Sequence, residues 1–250
     1  MQPKTLILSG YGINCEIETY HAFKKVGGNP EIIHLKTFLE SSFEILNYNI
    51  IVFPGGFSFG DELGAGILLA AKLRKQLRKI DNFLKNGGLL TGICNGFQVL
   101  INLGLLPNTL NKQIHEVALI ENKNKKFIDT WVKLKVNQKN NSPFFKGIEN
   151  IYLPIRHKEG RLIIKDENIK NNIIQNNLNV LTYEDNPNGS MENIAALTDK
   201  SGQIIGMMPH PEAYLTIYNH PNWKKLISIN PDLKNGEGLV FFENTVKYFK

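Results

Sequence analysis

The chain predicts an α/β protein: an open, mostly parallel sheet flanked by helices, with extra antiparallel strands in its second half. Two patterns carry that reading. Through the first hundred residues short apolar runs alternate with helix-forming stretches, and the runs stop at turn-forming residues, mostly glycines. Beyond residue 117, strand-like segments follow one another with little helix between them.

The run at residues 5–8 ends at Ser9-Gly10-Tyr11-Gly12, and Ile17, Tyr20 and Phe23 then recur at helical spacing until Gly27-Gly28-Asn29-Pro30. Residues 31–35 form a second strand and 50–53 a third, the latter stopped by Pro54-Gly55-Gly56. One long helix is expected over 64–85. Gly87-Gly88 then opens a fourth strand, 89–93, which runs directly into helix-compatible residues 97–103. In the second half, 117–120 and 127–136 read as consecutive antiparallel strands joined at Asn122-Lys123-Asn124. Further strands are expected at 150–155, 161–164, 180–183, 194–197 and 204–208, with a hairpin turn at 199–202. Residues 165–179, rich in Asn, read as a surface loop with some helix, and 238–249 as a closing amphipathic helix.

The 250 residues suit a single domain, 1–250, with no internal repeat or linker. Hydrophobic residues at 42% and charged residues at 21% exclude a disordered or fibrous chain. Two cysteines cannot make a disulfide framework at this size. No apolar run approaches the roughly 18 residues of a membrane span, and the amino end lacks a secretory signal. The expectation is a cytoplasmic protein with no membrane partner. A net charge of +6 suggests polyanions, but only four of the 29 basic residues are arginine (Arg74, Arg78, Arg156, Arg161). Scattered lysine lacks the bidentate fork that phosphate recognition favours, so no nucleic-acid partner is expected. The densest run, 72–79, reads as a solvated helix face or a docking patch.

Three segments carry chemistry. Gly92-Ile93-Cys94-Asn95-Gly96 joins a strand to a helix in the G-x-nucleophile-x-G pattern of a nucleophile elbow. Such a turn exposes the central side chain beside helix amides that lower a thiol pKa and supply oxyanion donors. The same residues also fit a buried core cysteine. Pro209-His210-Pro211-Glu212 follows another strand; Pro211 holds His210 extended, so that Glu212 can reach its ring, or the segment is a rigid turn with a solvent-facing histidine. Pro54-Gly55-Gly56 ends a third strand, where its amides suit an oxyanion hole or an ordinary turn. All three lie at the carboxyl ends of expected parallel strands, where open α/β sheets build their sites.

With these residues in view, the chain resembles the class I, triad-type glutamine amidotransferases, and more closely the glutaminase subunits of phosphoribosylformylglycinamidine synthases. The resemblance rests on G-Y-G-I-N-C-E at 10–16, P-G-G-F-S-F-G-D at 54–61 and G-I-C-N-G-F-Q at 92–98. It continues in P-I-R-H-K-E-G-R at 154–161, N-P-N-G-S at 186–190 and M-M-P-H-P-E at 207–212. Arg156, Lys158 and Ala213 depart from the family pattern, as does a long lysine-rich stretch at 217–234.

The resemblance implies a flavodoxin-like fold and a catalytic triad of Cys94, His210 and Glu212. It places Asn95 and the Gly55-Gly56 turn at the oxyanion and Gln98 against glutamine. It implies no metal or cofactor in this chain: ATP and Mg²⁺ belong to a large synthase subunit, which converts formylglycinamide ribonucleotide to the amidine with ammonia delivered from glutamine, alongside a small third subunit. Neither a Walker-type loop nor a metal-spaced acidic cluster is present in the sequence. Cys15 is assigned to structure or an interface, because no histidine or acid follows it at useful spacing. His157 with Glu159 reads as a loop shaping the site or an interface, not as a second base. A glutaminase serving another synthase, such as pyridoxal phosphate synthase, and a silent docking module are the alternatives.

Overall fold

The computed structural model describes residues 2–250. In chain order its first half reads β1 (Lys4–Ser9), α1 (Glu16–Lys25), β2 (Asn29–His34), α2 (Leu35–Phe38), β3 (Ile50–Phe53), α3 (Ile67–Leu73), α4 (Leu77–Lys85), β4 (Leu89–Ile93) and α5 (Asn95–Asn102). The second half adds β5 (Val117–Glu121), β6 (Ile128–Val136), β7 (Asn150–His157), β8 (Glu159–Ile164), α6 (Glu167–Gln175), β9 (Asn179–Tyr183), β10 (Ile194–Thr198), β11 (Ile204–Met207), α7 (Trp223–Ile229) and α8 (Leu239–Lys247).

Among the described residues nine strands form one sheet in the order β2-β1-β3-β4-β11-β10-β9-β6-β7, and β5 pairs separately with β8. Pairing is parallel from β2 to β11 and antiparallel from there to β7. The period-two alternation of a strand divides the core between the two faces. Leu6, Leu8, Ile51 and Phe53 pack with Phe38, Leu69, Phe83 and Phe97 on one face; Ile7, Ile50 and Val52 pack with Phe23, Phe241 and Phe242 on the other. Strands buried on both sides are what their near-continuous apolar runs require.

Two expectations change. The long helix at 64–85 is broken. Gly64 and Gly66 take positive φ values of 104° and 72°, so α3 starts only at Ile67. A 3₁₀ turn at Arg74–Gln76 then separates α3 from α4, turning Gln76 inward so that its Nε2 donates to the carbonyl of Leu39. The expected 117–136 hairpin does not form either: β5 pairs with β8, and β6 with β7 and β9. Asn122, buried at the intended turn, instead donates from its side chain to the carbonyls of Lys126 and His157. The β10–β11 hairpin and the closing helix form as expected, and 165–179 contains the ordered helix α6. Among the described residues no helix is long and apolar enough to cross a membrane.

Candidate active site

Cys94 occupies the junction between β4 and α5 with φ 50° and ψ −104°, a conformation that is strained for any side chain. Sterics explain the flanking glycines: a Cβ on Gly96 would drive into the Phe53 carbonyl, and one on Gly92 into the Gly96 carbonyl. The sheet therefore tolerates this turn only with glycine at both flanking positions, Gly92 and Gly96. The Cys94 amide donates to the Met207 carbonyl at 2.7 Å, and parallel register places Met207 opposite Ile93, so the residues that follow β4 and β11 emerge side by side.

That register brings a histidine and a carboxylate beside Cys94. His210 and Glu212 are both 3% exposed, and His210 Nδ1 lies 2.5 Å from Glu212 Oε1. The His210 amide donates to the carbonyl of Pro154, fixing the segment against β7. Burial opposes a charged ring, but the Glu212 carboxylate and the neighbouring thiols outweigh it and raise the His210 pKa well above its ordinary value. Nε2 is buried without a hydrogen-bond partner. The Cys94 thiol donates to the carbonyl of Arg156 at 3.6 Å.

The turn after β3 completes the strand-end cluster. Gly56, at φ 145°, bridges Ile13, and a Cβ there would lie 2.8 Å from the Ile13 Cα. Among the described residues the amides of Gly55, Gly56 and Asn95 donate to no protein group. Asn95 is locked through its side chain: its Oδ1 accepts from Ser58 N, and its Nδ2 donates to Asp61 and Gln98. Gln98 is buried, and its Nε2 donates to the carbonyl of Glu159 at 2.5 Å.

Cys15 lies closer to His210 than its sequence spacing indicates. The Asn14 and Cys15 amides both donate to the Gly55 carbonyl, which ties the loop after β1 to the loop after β3. The Cys15 sulfur, a His210 nitrogen and a Glu212 oxygen consequently lie within 4.8 Å of one another. Burial raises the Cys15 pKa, partly countered by the nearby His210 ring. No sequence spacing could show this, because residues 15 and 210 meet only through the β1-β3-β4-β11 order. The motif G-Y-G-I-N-C-E was the one available signal.

A cavity of about 240 Å³ opens over the elbow, lined by Gly56, Phe57, Asp61, Cys94, Gln98 and the β7–β8 residues 156–159. Those residues are held from behind by the 186–190 segment: Asn188 Nδ2 donates to the Gly160 carbonyl, and Ser190 Oγ accepts from Leu162 N. His157 is a buried support, with Nδ1 3.0 Å from Asn122 Oδ1; burial and the charge of His210 push its pKa down to about 4. Burial also raises the Asp61 pKa, with nearby Glu159 adding to it. A larger cavity, about 690 Å³, lies between residues 136–147 and α8, away from Cys94 and His210.

A buried cysteine–histidine–carboxylate set on strand ends, with free backbone amides beside it, defines a site for acyl transfer from an amide. Comparison with known proteins gives the same class. Residues 2–249 match the family model of the CobB/CobQ-like glutamine amidotransferase domain. Phosphoribosylformylglycinamidine synthase subunit PurQ of Dehalococcoides mccartyi is 39% identical, covering 98% of this chain and 97% of the relative. The PurQ subunit of Methanococcus maripaludis is 40% identical over 99% of this chain and 97% of its own. Among solved structures, PurLQS from Thermotoga maritima superposes with a TM-score of 0.76 at 32% identity, covering 100% of both chains. Another glutamine amidotransferase from Thermotoga maritima, at TM-score 0.55 and 14% identity over 99% of this chain and 91% of its own, shares the fold. The chain belongs to the glutamine amidotransferase family, and within it to the PurQ subunits of phosphoribosylformylglycinamidine synthase.

Proposed function

We propose that this chain is the glutaminase subunit of a phosphoribosylformylglycinamidine synthase, working in the cytoplasm. It hydrolyses glutamine to glutamate and ammonia. The ammonia passes to the large synthase subunit of a complex that also holds a small third subunit. ATP and Mg²⁺ are handled by that partner, which converts formylglycinamide ribonucleotide to the amidine.

The observation that carries the chemistry is the buried 2.5 Å contact between His210 and Glu212 beside the strained Cys94 elbow. Glu212 stabilises the charge that the ring acquires as His210 takes the Cys94 proton. The thiolate attacks the glutamine carboxamide carbon, and the oxyanion develops against the unpaired amides of Gly55, Gly56 and Asn95. His210 returns the proton to the departing ammonia, leaving a γ-glutamyl thioester. Water then attacks the thioester with His210 as base, releasing glutamate. Gln98 serves this arrangement from the cavity wall, bracing Glu159 and Asn95 around the bound glutamine.

Of the two thiols beside His210, Cys94 is the nucleophile: it stands at the start of α5 and lines the cavity. A glutamine-analogue electrophile, applied to the complex, labels Cys94 and not Cys15; labelling of Cys15 alone, or of neither, overturns the assignment.

A further inference from the structure

Arg156 and Lys158 depart from the family pattern, and the glutaminase chemistry gives neither of them a task. Both stand on the wall of the cavity over Cys94. His157 is buried between them, and residues two apart on an extended segment point the same way, so the two cationic side chains leave the core together. They also start close to the nucleophile: the Cys94 thiol donates to the carbonyl of Arg156 at 3.6 Å.

Neither cation is committed elsewhere. Arg156 meets Asp129 through Nε at 3.7 Å, and Lys158 Nζ lies 3.2 Å from Glu121, with all four side chains between 43% and 69% exposed. Surface pairs of this kind are worth about 0–1 kcal/mol, so either side chain can turn to a better anion. The terminal nitrogens of Arg156 have no protein partner among the described residues, and they form the fork that grips a carboxylate bidentately. The same cavity holds the opposite sign. Asp61 accepts from Asn95 Nδ2 and the Gly66 amide, and Glu159 accepts from the Ala65 amide, but among the described residues neither pairs with a basic side chain. At about 240 Å³ the space is below the roughly 300–1,000 Å³ of drug-sized ligand sites, which suits one small molecule. A free amino acid carries both charges at one end, a few bonds from its side-chain amide.

Building on the glutaminase reading, we propose that Arg156, with Lys158 beside it, binds the α-carboxylate of glutamine and makes this chain selective for the free amino acid. With the carboxamide carbon at the Cys94 sulfur, the α-carbon lies three bonds further out, towards the exposed rim where both cations stand. The α-ammonium then faces Asp61 and Glu159. The carboxylate is held alike in the bound substrate and in the transition state, so its loss weakens binding without slowing the chemical step.

The test compares glutamine with glutaminamide, whose α-carboxylate is replaced by a neutral amide of the same size. Hydrolysis of the side-chain amide by the assembled synthase complex is followed by mass spectrometry of the product. Arg156→Ala is expected to raise the KM for glutamine about tenfold with a much smaller change in kcat, and to alter kcat/KM for glutaminamide by less than about twofold. Arg156→Lys recovers part of the loss, because it keeps the charge and gives up the fork. Arg156→Ala combined with Lys158→Ala removes most of the preference for glutamine over glutaminamide. An unchanged KM for glutamine in Arg156→Ala, an equal loss on both substrates, or a double variant that rejects glutaminamide as strongly as the unsubstituted complex overturns the assignment. Each of those outcomes leaves glutamine hydrolysis in place. No ammonia from glutamine in the unsubstituted complex would instead overturn the glutaminase reading, and this assignment with it.

Discussion

Replacing Glu212 with glutamine keeps a hydrogen-bond acceptor beside His210 Nδ1 and removes only its charge. The contact is 2.5 Å between atoms, and both side chains are almost wholly buried. With the delocalised charges centred about 4 Å apart and an effective dielectric near 20, the carboxylate–imidazolium attraction is about 4 kcal/mol. At about 1.4 kcal/mol per factor of ten, that corresponds to roughly a thousandfold. Glu212→Gln is therefore expected to lower the glutaminase kcat by about 10³. The pH profile adds a signature. Glu212 is the largest of the groups that offset burial and favour the charged ring; without the carboxylate only the thiols offset burial, and the ring loses its proton at lower pH. The alkaline limb of activity should move downward. The assay is ammonia release from glutamine by the assembled complex across pH 6–10, with thermal unfolding as the control on folding. A loss smaller than tenfold with the alkaline limb in place would refute the reasoning.

Other expectations follow from particular contacts. Gly96→Ala pushes a Cβ into the Phe53 carbonyl and should cost about 3 kcal/mol or more, seen as a large drop in melting temperature; a melting temperature within a degree of the parent would show that the elbow has slack. His157 has a folded pKa of about 4 against about 6.5 when unfolded, so stability is full above pH 6.5 and falls by about 3 kcal/mol as pH drops towards 4. His157→Gln should flatten that part of the pH–stability curve, and denaturant melts at pH 7 and pH 4.5 decide it. Asn188→Ala removes the closer of two side-chain donors to the buried Gly160 carbonyl, leaving Ser190 Oγ at 3.4 Å, and should cost about 1 kcal/mol. Because residues 156–159 wall the cavity, the same change should raise the KM for glutamine more than it lowers kcat.

Much of this was legible in the sequence because local rules and tertiary demands agree. Apolar runs that stop at glycine turns became β1, β3 and β4, since a strand buried on both faces has no polar side to display. The elbow was readable because its two glycines answer backbone collisions that any side chain would suffer. The pairing of His210 with Glu212 followed from their spacing around Pro211. What stayed hidden depended on contacts remote in sequence. Residues 117–136 look like a hairpin, yet Asn122 spends its hydrogen bonds on the β7 end, and β5 crosses to β8. The helix expected at 64–85 contains no proline, and the tight turn that divides it is made by an inward Gln76 bonded to Leu39. Cys15 is the sharpest case. Its place beside His210 depends on the loop after β1 being tied to Gly55, a fact of strand order that no spacing encodes. Asp61, which lines the cavity and accepts from Asn95, was hidden for the same reason.

The central claim is that Cys94 generates ammonia for a partner that can use ammonia from any source. Cys94→Ala, assembled with the synthase subunits, tests it with two nitrogen donors in parallel. Amidine synthesis from glutamine should disappear, while synthesis from added ammonium salt continues at the rate of the unsubstituted complex. Retention of glutamine-dependent synthesis, or loss of both activities from a complex that still assembles, would contradict the account.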